Sequence, residues 1–177
     1  LAALARHPAR DAVDWSGVHV WWGDERFLAA GDGERNETQA REALLACGMQ
    51  RVLLLLLDKP NDCLRVQQSA GLPREASALT LAPGQSKLLQ KLLSKASQLR
   101  LTPDNHAQFS ALLPASLRAL FPSEHLLLRS LAVNDQVLML AIADQGGRPL
   151  ADVSVQAFGK TAQCIERALA SFANRNA

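Results

Sequence analysis

Two apolar-rich runs in the last third of the chain, residues 125–133 and 136–143, are separated only by Asn134 and Asp135. Asn and Asp tolerate the positive φ that a two-residue hairpin turn requires at its central positions, so the runs read as an antiparallel pair. The turn-rich stretch DQGGRP follows at residues 144–149, and a long helix is expected from Asp152. Within that helix Val155, Phe158, Ala162, Ile165, Leu169 and Phe172 recur at alternating spacings of three and four. One face of the helix is therefore apolar along its length.

Upstream, residues 51–57 carry unbroken leucines, which suit a strand covered on both faces, although such a run also fits a buried helix. DKPND at residues 58–62 is turn chemistry. Leu64 and Val66 then alternate with Cys63, Arg65 and Gln67, giving a second hairpin. Residues 78–81 are expected as a third strand, residues 84–95 as a basic amphipathic helix with Leu88, Leu89, Leu92 and Leu93 inward, and residues 98–101 as a short strand. Residues 104–120 show helical periods interrupted by Pro114, which fits the first turn of a second helix starting near Leu113. This order predicts an α+β domain: an antiparallel sheet covered by helices on at least one side.

The N-terminal part is organised differently. Val18, Val20 and Trp22 alternate with His19 and Trp21 between Gly17 and Gly23, the pattern of a short strand. A turn-rich stretch at residues 29–35 follows, and Asn36 is placed to cap a helix with Ala40, Ala43 and Leu44 on its apolar face and Gly48 as its stop. An N-terminal strand-loop-helix appendage is the expectation.

Composition narrows the function classes. With 48% hydrophobic residues, 177 residues suffice for one domain plus an appendage. The 19 basic and 17 acidic side chains leave a net charge of +2 and are mixed along the chain, so neither a nucleic acid nor an anionic membrane is expected as a partner. The longest apolar run is six residues, 52–57, where a bilayer needs about 20. The opening LAALARHPARDAVDW has no continuous apolar stretch, which argues against an ordinary secretory signal, and the start at Leu1 suggests a fragment. Cys47, Cys63 and Cys164 are odd in number and widely spaced. They read as small hydrophobes of a reducing, cytoplasmic compartment rather than ligands of zinc. No metal and no cofactor is expected.

Residues 50–174 resemble the GAF-like region that follows the HDOD domain in bacterial signalling proteins. The resemblance rests on RVLLLLLD, CLRV with a following Gly71, LRLTPDNHAQFSALLP, HLLLRSLAVNDQVLMLAIADQGG and VQAFGKTAQCIERALASFA. It implies a curved antiparallel sheet flanked by helices, packing of the N- and C-terminal helices against each other, and a sensory, regulatory or assembly role with no reaction.

Residues 14–48, DWSGVHVWWGDERFLAAGDGERNETQAREALL and the residues after it, are similar to the central motif of 6-phosphogluconolactonases. That resemblance implies a loop bordering the site of a phosphorylated sugar lactone, with Asp24, Arg26, Arg35 and Asn36 at the matching positions. Arg26 would contact phosphate, since its planar fork matches phosphate oxygens. The family's glycine-rich Ser/Thr loop and its Gly-x-Asp-Gly-His segment have no counterpart here. The other histidines, His106 and His125, stand in DNHAQ and SEHLL without a glycine-rich turn to present them. Lactone hydrolysis needs a positioned base and stabilisation of the developing oxyanion, so no catalytic residue is assigned.

The two resemblances meet near residues 46–51. The expected organisation is a lactonase-like fragment at 1–46 and a GAF-like domain at 47–177, a natural or engineered fusion in which the helix of ETQAREALLACG substitutes for the helix that a GAF-like domain places before its first strand. The leading functional expectation is a non-catalytic sensory, regulatory or interaction module; the alternative is 6-phosphogluconolactone hydrolysis, and a chimera without a function of its own is a third.

Several local features have two readings. Asp24, Glu25 and Arg26 form either an anion grip or a solvated loop with a local ion pair. Trp15, Trp21 and Trp22 are either ligand-stacking rings or core. Lys87, Lys91 and Lys95 read as a solvated helix face, with phosphate or an acidic partner as the alternative. His106 reads as a helix-start residue, the DQGG stretch as a turn, and Cys164 as buried near the apolar stripe. The stripe of the final helix packs on its own sheet or pairs with a second copy as a homodimer. The chain has no Tyr and five Phe, and few polar residues fall at inward strand positions, so the small-molecule ligand is unassigned and a ligandless interaction role is favoured.

Overall fold

The computed structural model describes residue 43 and residues 45–175, with side chains at 43, 45–167 and 170. The strand expected at 18–22 and most of the helix expected after Asn36 lie outside the described residues, as do Asp24, Arg26, Arg35 and Asn36.

Six strands form one antiparallel sheet: β1 (Arg51–Asp58), β2 (Cys63–Ala70), β3 (Thr80–Leu81), β4 (Gln98–Leu101), β5 (Leu126–Val133) and β6 (Gln136–Asp144). Their spatial order is β3-β2-β1-β6-β5-β4. The leucine run of β1 thus pairs on both sides, with β2 and β6, which settles it as a central strand. Its alternate side chains enter opposite layers: Leu53 and Leu55 join one apolar cluster, Val52 and Leu54 the other. The β5–β6 hairpin turns at Asn134 and Asp135, whose φ values of 50° and 61° are those the turn demands.

The first layer is covered by α1 (Lys87–Ser94) and α3 (Ala115–Leu120), with α2 (Pro103–Ser110) beside β4. The second is covered by α4 (Asp152–Arg175) and by the incoming residues 45–49. On α4, Phe158, Ala162 and Ile165 are buried and Val155 packs against them. Leu169 and Phe172 lie outside the described side chains.

Three boundaries differ from expectation. Only Thr80–Leu81 form the third strand, because the residues before it, Arg74–Ala78, wind into a 3-10 turn after Pro73, whose carbonyl accepts from Ala76 N at 3.0 Å. The helix expected from 84 begins at Lys87. Residues Pro83–Gln85 form a separate turn, and Ser86 caps α1 by accepting from Leu89 N at 3.1 Å. Pro114 stands at the N-cap of α3 with ψ 143°, one position before the helix starts. Leu93 is half-buried rather than fully inward.

Candidate functional site

Gly48 ends the incoming helical turn: its N–H bonds Leu45 O at 2.9 Å and its φ is +82°, the left-handed conformation that terminates helices at glycine. The chain then enters β1, and Gln50 N bonds Asp144 O at 2.8 Å. Across the ladder Arg51 is paired with Asp144. Arg51 Nε donates to Asp144 Oδ1 at 2.8 Å, and Arg51 Nη2 donates to Oδ2. Asp144 is fully buried, and Gly146 N donates to the same Oδ1 at 3.0 Å. The carboxylate is therefore held by a two-pronged guanidinium and a backbone amide, the complement a buried charge needs. The Arg51 guanidinium also lies 5.8 Å from the centre of the Phe121 ring, which ties the pair to the first layer.

Beside it, the side chain of Gln145 is buried and fully occupied. Nε2 donates to Gly48 O and to Ser154 Oγ, both at 3.0 Å, while Oε1 accepts from Ala151 N at 2.9 Å. A flipped amide would oppose Nε2 to the Ala151 N–H and Oε1 to the Gly48 carbonyl, so the partners define its orientation. Cys47 Sγ and Thr161 Oγ1 are 3.2 Å apart. Together these contacts join the chain entrance, the end of β6 and the first turns of α4 in one polar joint.

A second polar group lies on the α4 face, carried by β4 and β5. Arg129 reaches Gln98 Oε1 at 3.2 Å and Glu166 Oε2 at 3.6 Å, and Glu166 Oε1 accepts from Ala132 N at 3.0 Å. Gly159 of α4 lies beside this guanidinium, where a Cβ would meet Arg129 Nη1 at an ordinary contact distance of 3.5 Å. Arg100 bonds Asp152 at 2.6 Å and also the Leu150 carbonyl. The expectation of few inward polar residues on strands misses Arg100, Arg129, Ser130 and Asp144. The first layer is different in kind. Thirteen of its fifteen clustered residues are leucine, the others being Phe121 and Ile142, so no side chain of that cluster offers a hydrogen bond. Ser86 and Ser130, buried at its margin, already donate to Leu112 O and Leu92 O.

The remaining expected features stay apart. Lys87, Lys91 and Lys95 are exposed, with Lys95 just past the end of α1. His106 sits in the first turn of α2, where Asn105 Oδ1 accepts from Thr102 N at 2.9 Å. Cys47 and Cys63 are buried, whereas Cys164 is half-buried, more open than expected. Arg65 lies 2.9 Å from Asp58; a hydrogen bond with Cys63 and then the Asp58 charge hold its guanidinium above the ordinary arginine value. Among the described residues no group of three or more His, Cys, Asp and Glu is arranged to hold a metal ion, and no helix is long and apolar enough to cross a membrane.

Residues 1–83 match the family described as Glucosamine-6-phosphate isomerases/6-phosphogluconolactonase. A 6-phosphogluconolactonase of Streptomyces coelicolor is 71% identical over 45 residues, which is 25% of this chain and 17% of that protein. A 6-phosphogluconolactonase of Mycobacterium leprae is 64% identical over 33 residues, 19% of this chain and 13% of that protein. The chain thus spans less than a fifth of the curated relatives it matches. Among solved structures, a phycoerythrobilin-bound GAF domain from a cyanobacterial phytochrome is 12% identical with a TM-score of 0.60, over 80% of this chain and 86% of that one. Residues 122 to 287 of a methyl-accepting chemotaxis protein are 17% identical with a TM-score of 0.59, over 75% and 85%. A GAF domain/HD domain protein from Geobacter sulfurreducens is 18% identical with a TM-score of 0.51, over 75% and 95%. The six-stranded sheet and its flanking helices are accordingly a GAF-domain fold, and the lactonase-like match at residues 1–83 extends over its first three strands.

Proposed function

We propose that residues 47–177 act as a non-catalytic, GAF-like regulatory or interaction module of a bacterial, HDOD-type signalling protein, with the lactonase-like residues 1–46 joined in front of it as a natural or engineered fusion. The observation that carries this reading is the leucine layer between the sheet and α1 to α3, whose buried cluster consists of apolar side chains. A small-molecule site needs a concavity with a few convergent polar groups. Here the buried polar side chains are spent on the fold: Ser86, Ser130, Gln145 and Asp144 each bond the protein itself. An interaction role therefore fits better than sensing of a polar ligand. In this reading the module works in the cytoplasm, without nucleic acid, membrane or cofactor, and two copies pair through α4. Light scattering over a range of concentrations should return a dimer; a monomer at the highest concentration removes the pairing.

The second reading is hydrolysis of 6-phosphogluconolactone, favoured by the 71% identity over 45 residues. It would use Asp24, Arg26, Arg35 and Asn36 as ligand contacts. A lactonase assay with the whole chain separates the two. The regulatory reading expects hydrolysis at the spontaneous rate; turnover that disappears in Arg26→Ala replaces it with the enzyme.

A further inference from the structure

We infer that the buried amide of Gln145 is a mechanical coupling between the two ends of the domain, through which displacement of the incoming residues 45–50 is passed to the first turns of α4. The inference deepens the regulatory reading above and rests on it, because such a module must convey a change at one chain connection to the other.

Gln145 is the only described side chain that bonds the segment before β1 and the start of α4 at once: Gly48 O on one side, Ser154 Oγ and Ala151 N on the other. Both donor hydrogens are used, and the three bonds run in different directions, which fixes the amide in position and orientation. The surroundings leave little slack. A Cβ at Gly48 would stand 2.9 Å from Ser154 Oγ, and a Cβ at Gly146 would stand 2.1 Å from Gln50 Oε1. Gly48 therefore abuts the first turn of α4, and Gln50 abuts the loop that leads to it. Farther along, Cys47 Sγ lies 3.2 Å from Thr161 Oγ1.

A packed interior transmits displacement rather than absorbing it. If Gly48 moves by about an ångström, the bond from Nε2 is stretched past its useful length. Either that bond breaks, or Gln145 follows and carries Ser154 with it. The rest of the described α4 interface is mostly apolar, with Phe158, Ala162 and Ile165 set against Leu127, Leu131 and their neighbours. Such contact is non-directional, and the directional bonds of α4 to the sheet, Arg100–Asp152, Arg129–Glu166 and Ala132 N to Glu166, come from β4 and β5. The amide adds the directional link from the start of α4 to residues 45–50. The neighbouring Arg51–Asp144 pair anchors the end of β6 beside the joint.

Hydrogen exchange on the full chain tests the coupling, with Ser154→Ala as the variant because it deletes one bond at little steric cost. Gly48 N and Gln50 N report on the incoming segment, since both are bonded. The expected result is that residues 45–50 exchange about three- to tenfold faster although the substitution lies on α4, the range set by the net worth of one hydrogen bond. Residues 126–133 should be unchanged. Faster exchange confined to residues 152–158 overturns the inference, and so does a uniform increase that includes β5. Gln145→Met cuts all three bonds and keeps the volume; it should speed residues 45–50 and 152–158 together. Should that variant not fold, the Ser154→Ala pattern decides alone. Lactonase turnover and light scattering judge the regulatory reading separately, so the joint can fail while that reading stands.

Discussion

The two faces of the sheet are made by alternate residues of the same strands, yet they hold their helices by different means. On the face under α1 and α3, the strands offer Leu53, Leu55, Leu64, Leu101, Leu126, Leu128, Leu140 and Ile142. Cohesion there comes from buried area and close packing. On the face under α4, Val52, Leu54, Leu127 and Leu131 are accompanied by Arg100 and Arg129, and the domain's polar joint closes one end. Apolar packing is tolerant of direction, whereas a set of bonded polar groups has only one good arrangement. The first face gives the domain its stability, and the second fixes how the chain enters and leaves it.

The largest effect should come from the leucine face. Leu128→Ala, at a site with no exposure, removes buried methyl groups and leaves a cavity; unfolding by denaturant should show a loss of about 3–5 kcal/mol. Next comes the joint. Arg51→Met strands the carboxylate of Asp144 inside the protein and should cost about 3 kcal/mol. The double variant Arg51→Met with Asp144→Leu should recover most of that; full additivity of the two losses would mean the pair is not the source of the cost.

Two glycines with the same backbone sign sharpen the contrast between crowded and open positions. Gly71, at φ +66°, would place a Cβ 1.9 Å from Gln50 O, while Gly147, at φ +88°, has open space. Gly71→Ala should cost about 2–3 kcal/mol and Gly147→Ala about 1, the backbone strain alone. Equal melting temperatures for the two would break the argument. The smallest effect belongs to Asp152→Ala, which cuts an ion pair whose carboxylate is 80% exposed. A change of about 0.5 kcal/mol or less is expected, readable as a small shift in denaturant midpoint.

Much of the fold was legible because its signals are local. The Asn134–Asp135 turn, the leucine run of β1 and the stripe of α4 each declare their element within a few residues. The 3-10 turn at Arg74–Ala78 was not legible, because alanine and serine beside a short apolar pair carry no period. Nor was the joint. Arg51 and Asp144 are 93 residues apart and become partners only through the β1–β6 register. A trace existed in hindsight: opposite charges stand at the start of one apolar strand and the end of another, as paired antiparallel ends require. Gln145, inside a turn-rich stretch, gave no comparable sign, since a turn residue and a buried tether look alike in sequence.

What the chain's own letters determined was the alternation of strand and helix and which faces must be hidden, because periodicity and turn chemistry act over a few residues. Only the tertiary structure decided which strands became neighbours, that leucines of α1, α3 and all six strands met in one buried cluster, and that Gly48, Gln145 and Ser154 met at one amide. Those outcomes depend on register and long-range packing, which no local pattern encodes.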